Sequence, residues 1–368
     1  MGKQAKVIVS VTNDLETDQR VHKVCQTLEK QGYQVLLLGR RLSYSKVINR
    51  SYATKRFRLW FNRGPLFYLS YNLRLFFYLL FNSSDILISN DLDTLPANFF
   101  ASKIRNTALV YDSHELFTEV PELINRPITQ KIWKTMEAWM LPSIKTAYTV
   151  SRQIKAYYFD NYGIEMELIR NFPLYIPTDK PTSKENIILY QGALNIGRGL
   201  EELIQAMQYV ENALLHIAGS GDIELKLKQL CRELDIEHKV VFLGRIPLEE
   251  LREHTLKAKL GLSIEKSLGL NYQFALPNKV FDYIHAGVPV LYSDLIEVKK
   301  VLADFEVGEE LKSIQPKELA GQIQEMLHSP KYQKWLNNCE AAATVLSWQN
   351  EEKKLIRLLD IVNNQKNS

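Results

Sequence analysis

Residues that could bind an anionic ligand are concentrated in the second half of the chain. The most specific segment spans 276–291, where Asn278, Lys279 and Asp282 lie on a predicted helix. Pro277 suits the first turn of that helix, and Asp282 follows Asn278 by four residues, on the same face. A lysine near phosphate and a carboxylate that accepts from ribose hydroxyls predict a sugar-nucleotide site.

Three glycine-containing turns between predicted strands and helices could bring backbone amides close to the same ligand. In the first turn, Gly192 and Gly199 flank Arg198, whose forked guanidinium suits phosphate, before a helix predicted at 200–207. The other two turns carry Gly219, Gly221, Gly244 and Arg245. The spacing is not the GxGxxG pattern, which argues against a nicotinamide-dependent dehydrogenase. Each turn alone is also consistent with a plain connector.

Positive charge is concentrated in one segment of the first half. The formal net charge is +4, yet residues 30–84 hold ten Lys and Arg residues and no Asp or Glu. Aromatic residues are interleaved with them between 57 and 81. This mixture suits an anionic membrane surface, with contacts expected from Lys55, Arg56, Arg58, Trp60 and Arg63. One alternative is a core-facing helix at 67–81 with a solvated basic face. Single-stranded nucleic acid is the least favoured reading, and we expect no nucleic-acid partner.

Strand and helix patterns alternate along both halves of the chain. This alternation is typical of parallel sheets built from βαβ units and predicts two Rossmann-like domains. Predicted strands lie at 6–11, 34–39, 86–89, 109–112, 147–150, 167–170, 187–191, 214–218, 240–243, 260–264 and 288–292. A proline-containing stretch at 171–186 separates the halves, which gives domains at 1–172 and 173–346 and a last helix within 347–368. Such sheets bind ligands beyond the carboxyl ends of their strands, where the turns fall.

Length and composition exclude several classes of protein. The chain has 368 residues, of which 46% are hydrophobic and 24% charged, enough for two packed domains and unlike a disordered or coiled-coil chain. Cys25, Cys231 and Cys339 are too widely spaced to indicate a disulfide framework or a zinc knuckle. No signal peptide is evident, and the apolar run at 66–81 is too short and too polar to span a bilayer. We therefore expect a cytoplasmic protein.

The order and spacing of these segments resemble the retaining glycosyltransferases of family 4. The resemblance covers essentially the whole chain and rests on 18–21, 111–115, 192–199, 218–221, 242–244, 277–283 and 287–290. It implies the α/β GT-B fold, with two Rossmann-like domains facing each other across a cleft and a last helix that crosses back to the N-terminal domain. It further implies sugar transfer from a nucleotide-diphosphate sugar with retention at the anomeric carbon, a donor side in the C-terminal domain and an acceptor side in the N-terminal one.

The resemblance also implies roles for individual residues. Donor contacts are expected from Gly192, Arg198, Gly199, Gly219, Gly221, Gly244, Arg245, Glu265, Asn278, Lys279 and Asp282. The acceptor side is expected to include Asn13, Asp14, Arg20, Asp112, His114 and Glu115. Catalysis is assigned to His114, Arg198, Lys279 and Asp282, with His114 bonded to the sugar or its departing oxygen. The alternative for Asp112, His114 and Glu115 is capping of the following turn.

Three departures from the family pattern affect this assignment. Ala193 stands where the family typically has a phosphate-binding arginine, and the expected substitute is Lys279 or another residue. Phe274 stands at the first of two paired glutamates, and the second aligns with Asp282. The candidates for the missing carboxylate are Glu265, Asn271 and Gln273. Residues 12–14 replace an N-terminal glycine pair.

We therefore expect a glycosyltransferase of cell-surface polysaccharide synthesis that uses a glycan or lipid-linked acceptor and docks peripherally at the inner face of the membrane. No metal or other cofactor is expected, because the histidines lack metal-ligand spacing and Arg and Lys compensate the diphosphate charge. A sugar-nucleotide epimerase of the same fold and a non-catalytic sugar-nucleotide-binding scaffold are the alternatives. Slow hydrolysis of the donor would distinguish an active transferase from the scaffold.

Overall fold

The computed structural model describes residues 4–16, 18–177 and 184–367. The chain divides into two compact units, one comprising Met1–Asn171 with Glu351–Ser368 and the other Phe172–Asn350. The sequence analysis places the corresponding boundaries at 172/173 and 346/347. Part of the stretch predicted to separate the domains, 178–183, lies outside the described residues.

A sheet of seven parallel strands forms the core of the first unit, in the order β3-β2-β1-β4-β5-β6-β7. Its strands are β1 (Lys6–Ser10), β2 (Gln34–Arg41), β3 (Ala53–Arg58), β4 (Ile86–Asn90), β5 (Ala108–Ser113), β6 (Thr146–Thr149) and β7 (Glu167–Leu168). The strand order reverses between β1 and β4. In doubly wound sheets, the carboxyl ends of strands at such a reversal border a ligand crevice.

Six helices accompany this sheet. They are α1 (Gln19–Lys30), α2 (Gly64–Phe81), α3 (Asp91–Arg105), α4 (Pro121–Ile124), α5 (Pro127–Met140) and α6 (Arg152–Tyr162), with short 3-10 helices at Phe117–Glu119 and Leu141–Ser143. At the start of α1, the Asp18 carboxylate accepts a hydrogen bond from the Val21 amide at 3.0 Å. Val21, Val24 and Leu28 are buried, a spacing that holds one face of α1 against the core.

The basic segment forms two elements. Residues 53–58 form β3, which the sequence analysis missed and which pairs only with β2 at the edge of the sheet. Phe57 is the one fully buried side chain of this strand, so the period-two alternation of a half-buried strand is weak. Basic side chains at a sheet edge oppose pairing with a further strand.

Helix α2 begins at Gly64, earlier than the predicted 67. Its buried face consists of Phe67, Tyr71, Leu75 and Leu79. The opposite face is also apolar, and Leu73 and Phe81 are 50% and 82% exposed. Core packing therefore explains only half of the apolar residues in α2. Within the described residues, no helix has the length and apolarity required to cross a bilayer.

The second unit contains six parallel strands in the order β10-β9-β8-β11-β12-β13. They are β8 (Ile187–Gln191), β9 (Leu214–Ala218), β10 (Val240–Gly244), β11 (Leu260–Ser263), β12 (Val290–Tyr292) and β13 (Gly308–Glu310). The sequence analysis missed β13, which has only three half-buried residues, and began β12 at 288. Pro289 precedes the observed start of β12 and has no amide hydrogen to donate to a ladder.

The helices of the second unit pack on this sheet. They are α7 (Leu200–Ala206), α8 (Glu224–Glu233), α9 (Leu248–Lys257), α10 (Leu270–Gln273), α11 (Asn278–His285), α12 (Ile296–Leu302), α13 (Pro316–Leu327) and α14 (Tyr332–Val345). Two parallel-sheet, Rossmann-like units confirm the predicted α/β class. The three cysteines are buried and form no disulfide with one another.

The last helix, α15 (Trp348–Asn367), carries the chain back into the first unit. The Glu351 carboxylate accepts from the Arg170 amide at 2.9 Å, and the Glu352 carboxylate accepts from the Thr27 hydroxyl at 3.1 Å. Leu355 is fully buried. Residues from two distant parts of the sequence therefore complete the first unit.

Candidate active site

Backbone contacts join the carboxyl ends of β8, β9 and β10 in the second unit. The Gly192 amide donates to the Ala218 carbonyl at 2.9 Å, and the Gly219 amide donates to the Gly244 carbonyl at 2.8 Å. Gly219 has a φ of +141°, and a Cβ there would lie 1.9 Å from the Gly192 carbonyl oxygen. Only glycine fits at 219, and the three predicted turns are therefore neighbours.

Lys279, near the start of α11, lies beside the first of these turns. Its ammonium is 3.9 Å from the centre of the Tyr190 ring and 2.8 Å from the Glu265 carboxylate. A Cβ at Gly192 would approach the ammonium nitrogen to 3.4 Å. The absence of a side chain at Gly192 therefore leaves space next to a largely buried cation.

Glu265, which follows β11, is shared by two cations. Arg198 lies 3.6 Å from the same oxygen, Oε1, that contacts Lys279, and the Ser263 hydroxyl donates to Oε2 at 2.7 Å. Burial would raise the pKa of Glu265, but the Lys279 ammonium and the Ser263 and Arg198 groups hold that pKa below its usual value. Burial would lower the pKa of Lys279, and Glu265 raises it overall. Both partners are therefore charged at neutral pH.

Two cations and one carboxylate leave this cluster with a net positive charge. The Arg198 guanidinium lies 5.0 Å from the centre of the Tyr272 ring and its side chain is 28% exposed. Gly199 ends the same loop with a φ of +73°, and a Cβ there would lie 2.4 Å from the Ile264 carbonyl oxygen. The arrangement can stabilise an anion such as a diphosphate.

Asp282 is held at the end of β8 by a short polar chain. Its Oδ2 accepts a hydrogen bond from the Gln191 side-chain nitrogen, Nε2, at 2.8 Å. The side-chain oxygen of Gln191, Oε1, accepts from the Thr255 hydroxyl at 3.1 Å. Asp282 is half-buried, and Asn278 on the preceding turn is exposed. The Gln191 side chain thereby orients the carboxylate.

The remaining predicted donor residues line the same strand ends. A Cβ at Gly221 would lie 2.4 Å from the Leu194 carbonyl oxygen, and Gly244 has a φ of +67°. Arg245 and Ala193 are exposed. These positions therefore combine tight backbone turns with one exposed cation, Arg245.

The three candidates for the role of the missing sugar-binding glutamate differ in burial and contacts, and the choice among them stays a prediction. Glu265 is only 3% exposed, and its two oxygens are engaged by Lys279 and Ser263. Its role is to hold the cations. Asn271 and Gln273, on α10, are half-buried and remain the candidates for sugar hydroxyls.

In the first unit, Arg20 and Asp112, both predicted on the acceptor side, bind each other, and their contact with an acceptor stays a prediction. Arg20 Nε and a terminal nitrogen contact the two Asp112 oxygens at 3.2 and 2.5 Å. The side chains are 5% and 0% exposed. A buried, bidentate pair of this kind positions α1 on β5.

His114, just after β5, is clamped by Asp91, the first residue of α3. The ring Nε2 lies 3.0 Å from Asp91 Oδ2, and the His114 amide donates to Oδ1 at 3.2 Å. Asp91 has a φ of +54°, which is strained for a residue with a side chain. Burial and the Glu115 and Asp93 carboxylates raise the pKa of Asp91 well above its usual value. The clamp fixes both the backbone and the ring of His114.

The other predicted acceptor residues form local contacts. Asn13 donates to the Asp18 carboxylate at 2.7 Å, and the Ser45 hydroxyl donates to Asp14 at 3.3 Å. Glu115 is half-buried. These residues surround the carboxyl ends of β1 and β5.

Sequence reasoning missed Asp91, Tyr190 and Gln191. A signal for Asp91 was present, because the polar run 89–91 ends a predicted strand that is parallel to the strand before His114. The sequence pattern identifies Tyr190 and Gln191 only as residues of a predicted strand. Across the described ranges, no group of three or more His, Cys, Asp or Glu side chains is placed to hold a metal ion, and transfer without a metal stays a prediction.

Two family models match the chain. Residues 176–343 match Glycosyl transferases group 1, and residues 18–180 match Glycosyltransferase Family 4. An uncharacterized glycosyltransferase of Methanocaldococcus jannaschii is 28% identical over 184 residues, 48% of this chain and 45% of that protein. The chain thus matches about half the length of this relative.

Solved structures share the architecture over nearly the whole chain. Sucrose-phosphate synthase of Thermosynechococcus elongatus is 18% identical, with a TM-score of 0.77 over 99% of this chain and 100% of that one. HepE of Anabaena, solved with UDP and glucose, is 14% identical, with a TM-score of 0.73 over 97% and 100%. WaaG, a glycosyltransferase involved in lipopolysaccharide biosynthesis, is 16% identical, with a TM-score of 0.71 over 95% and 98%. At these identities the likeness shows the fold, which is GT-B.

The family matches and the architecture define the class. The two models together span residues 18–343, so this chain belongs to the glycosyltransferases of the GT-B fold.

Proposed function

We propose that this glycosyltransferase transfers a sugar from a nucleotide-diphosphate sugar, with retention, to a glycan or lipid-linked acceptor in cell-surface polysaccharide synthesis. The observation that carries the proposal is the cation cluster of Lys279 and Arg198 beside Gly192. It lies where parallel sheets bind ligands, at the carboxyl ends of the strands. UDP bound to HepE, a protein of the same fold, supports a nucleotide-diphosphate donor.

In this proposal, the cations of the second unit stabilise the leaving diphosphate. Charge that develops on the departing oxygen is best stabilised by fixed donors, and Lys279 is fixed by Glu265 and Tyr190. Asp282 accepts from ribose hydroxyls. Lys279 also supplies a cation in place of the arginine missing at Ala193.

His114 contributes from the first unit by hydrogen-bonding the sugar or its departing oxygen. Asp91 occupies Nε2, so Nδ1 is the ring nitrogen left for a ligand. Nδ1 is buried and has no hydrogen-bond partner within the described residues. No covalent nucleophile is proposed, and departure and attack occur on the same face of the sugar.

The acceptor and the location form the second part of the proposal. We place the enzyme in the cytoplasm, peripherally at the inner face of the membrane, with Lys55, Arg56, Arg58, Arg63 and Trp60 near the lipid. Trp60 is 97% exposed. The likeness of fold to WaaG supports a role in envelope glycan synthesis.

A thermal-shift screen against UDP, GDP, ADP, CMP, dTDP and their sugar conjugates tests the donor. A ligand that binds only the native state raises the melting temperature by mass action. We expect a shift with one diphosphate that is lost in Arg198→Ala and Asp282→Ala and kept in Lys312→Ala, a surface control in the same unit. No shift with any nucleotide would contradict the proposal.

Donor turnover separates an enzyme from a binding scaffold. We expect slow release of free sugar from the donor that gives the thermal shift, and loss of this release in His114→Ala with binding retained. The anomeric configuration of the released or transferred sugar, read by NMR, tests retention. Binding without turnover on any acceptor would favour the scaffold.

The electrostatic part of membrane docking has its own test. Retention by anionic vesicles at low salt is expected to fall when Arg56, Arg58 and Arg63 are changed together to Gln. Unaltered retention would remove the basic segment from the proposal.

A further inference from the structure

Three helices of the first unit expose large apolar side chains to solvent. The outer apolar face, as we call it, consists of Leu69, Leu73 and Phe77 on α2, Phe100 and Ile104 on α3, and Trp139 on α5. These side chains are between 42% and 66% exposed. Contiguous exposed apolar residues on a soluble domain mark an interaction surface.

Direct contacts show that the three helices form one surface. The Phe100 and Trp139 rings lie 5.6 Å apart across α3 and α5. The Asn72 side chain of α2 donates to the Asp93 carbonyl at 2.8 Å and accepts from the Ala97 amide at 3.1 Å on α3. The three α2 residues of this face are each four positions apart and therefore follow one stripe of that helix.

The charges of this surface have one sign. In α2, α3 and α5, every residue of which is described, the carboxylates are Asp91, Asp93 and Glu137, and all three are buried. The basic residues of the same helices are the exposed Arg74, Lys103, Arg105 and Lys131 and the half-buried Lys134. Lys134 pairs with Glu119, which lies outside these helices. The exposed charges that these three helices themselves contribute are thus positive.

We propose that the outer apolar face seats in the headgroup layer of an anionic lipid membrane. Apolar and aromatic side chains that enter this layer are favoured when cations at their border meet lipid phosphates. The cations around Arg56 attract an anionic lipid surface electrostatically, and the outer apolar face adds apolar contact. This inference rests on the proposed function, because a lipid-linked acceptor gives the enzyme a reason to contact the membrane. It adds which surface of the protein enters the lipid.

A second copy of the chain is a poorer occupant. A two-fold contact would bring the same patch of both copies together. Lys103 and Arg105 of one copy would then face the like charges of the other without a carboxylate between them. An anionic lipid surface matches the charge and the apolar area at once.

Vesicle sedimentation at two salt concentrations tests the proposal without donor or acceptor. Vesicles of equal parts phosphatidylglycerol and phosphatidylcholine are expected to retain the protein even in about 1 M salt, where the Debye length is about 3 Å. Leu69→Gln, Leu73→Gln and Phe77→Gln made together should lower high-salt retention severalfold. The matched control is Leu225→Gln with Leu248→Gln, two exposed apolar residues of the second unit, and should retain wild-type binding.

Tryptophan fluorescence locates the contact. Trp60 and Trp139 are exposed, whereas Trp133, Trp335 and Trp348 are buried. Lipids brominated on the acyl chain should quench the wild-type protein, and Trp139→Phe should remove more of that quenching than Trp60→Phe. This readout depends on depth and does not depend on catalysis.

Three outcomes would overturn the inference. One is retention that is equal in the triple variant and the wild type, and another is retention that disappears in high salt for both. The third is a wild-type dimer in gel filtration that the triple variant converts to monomer, which would assign the face to a second copy. Failure of donor turnover with vesicle binding intact would contradict the proposed function and leave the lipid contact standing.

Discussion

In the second unit, two cations, Lys279 and Arg198, share one carboxylate, whereas in the first unit one imidazole, His114, lies among several carboxylates. The first arrangement keeps Glu265 and Lys279 charged and leaves net positive charge for an anion. The second raises the pKa of Asp91 and Asp93, so these groups hold protons more tightly. Of the two arrangements, the one in the second unit therefore offers net positive charge to an anion such as a diphosphate.

Removal of Lys279 is the strongest test of this contrast. Lys279→Met leaves the Glu265 charge buried with only the more distant Arg198, and it should lower the free energy of unfolding by about 3–5 kcal/mol in urea titration. The double variant Lys279→Met, Glu265→Gln should recover most of that stability and still fail to bind nucleotide. Equal stability of Lys279→Met and wild type would show that the ion pair does not organise the site.

Gly219→Ala tests the backbone support of the same site. The added Cβ would meet the Gly192 carbonyl oxygen, and a φ of +141° disfavours a side chain, so we expect a loss of about 1–3 kcal/mol. Gly321→Ala, within α13 and with open space around it, is the control and should stabilise by about 0.5–1 kcal/mol. The prediction fails if both variants shift the urea midpoint in the same direction.

The acidic character of the first unit predicts a pH dependence. Burial raises the pKa of Asp93 to about 6, against an ordinary value of 3.8. The native state therefore binds this proton more tightly than the unfolded state, and stability falls as pH rises from about 4 to 6, by about 1–3 kcal/mol. Urea titrations across this window should show a smaller slope in Asp93→Asn than in wild type. Asp304→Asn, an exposed carboxylate of the second unit, should leave the slope unchanged.

Asp91→Asn tests whether the contact between Asp91 and His114 contributes to catalysis. Of the predicted effects, this one is expected to be the smallest. The carboxylate would no longer fix the ring, so kcat should fall about tenfold, which corresponds to 1.4 kcal/mol. The pH profile of kcat should shift, which a purely structural role would not produce. Combining Asp91→Asn with His114→Ala should cost no more than His114→Ala alone. Additive losses would separate Asp91 from His114.

Local sequence patterns predicted much of the fold and the cation cluster of the second unit. The strand and helix alternation predicted two parallel sheets, and Lys279, Arg198 and Asp282 stand in short segments whose turn residues reveal their position. The loop at 192–199 and helix α11 come from distant parts of the chain, but both meet at strand ends, so topology alone brings them together.

Contacts that depend on the direction of side chains could not be predicted from local sequence patterns. Arg20 and Asp112 have the residue types of a binding site, and only their mutual burial reveals a structural pair. The strand β3 was not predicted, because a basic edge strand lacks the full apolar face by which strands are identified in a sequence. Asp91 belongs to a helix start whose pairing with His114 depends on the register of neighbouring strands.

The return of α15 to the first unit has a consequence for the order of assembly on the ribosome. Chain synthesis proceeds from the N-terminus, and domains generally fold as they emerge. The second unit is contiguous, from Phe172 to Asn350, but the first waits for Glu351 and the residues that follow it. The unit whose sequence starts first is therefore the last to be completed, and until then the surface that receives Glu352 at Thr27 stays open to chaperones.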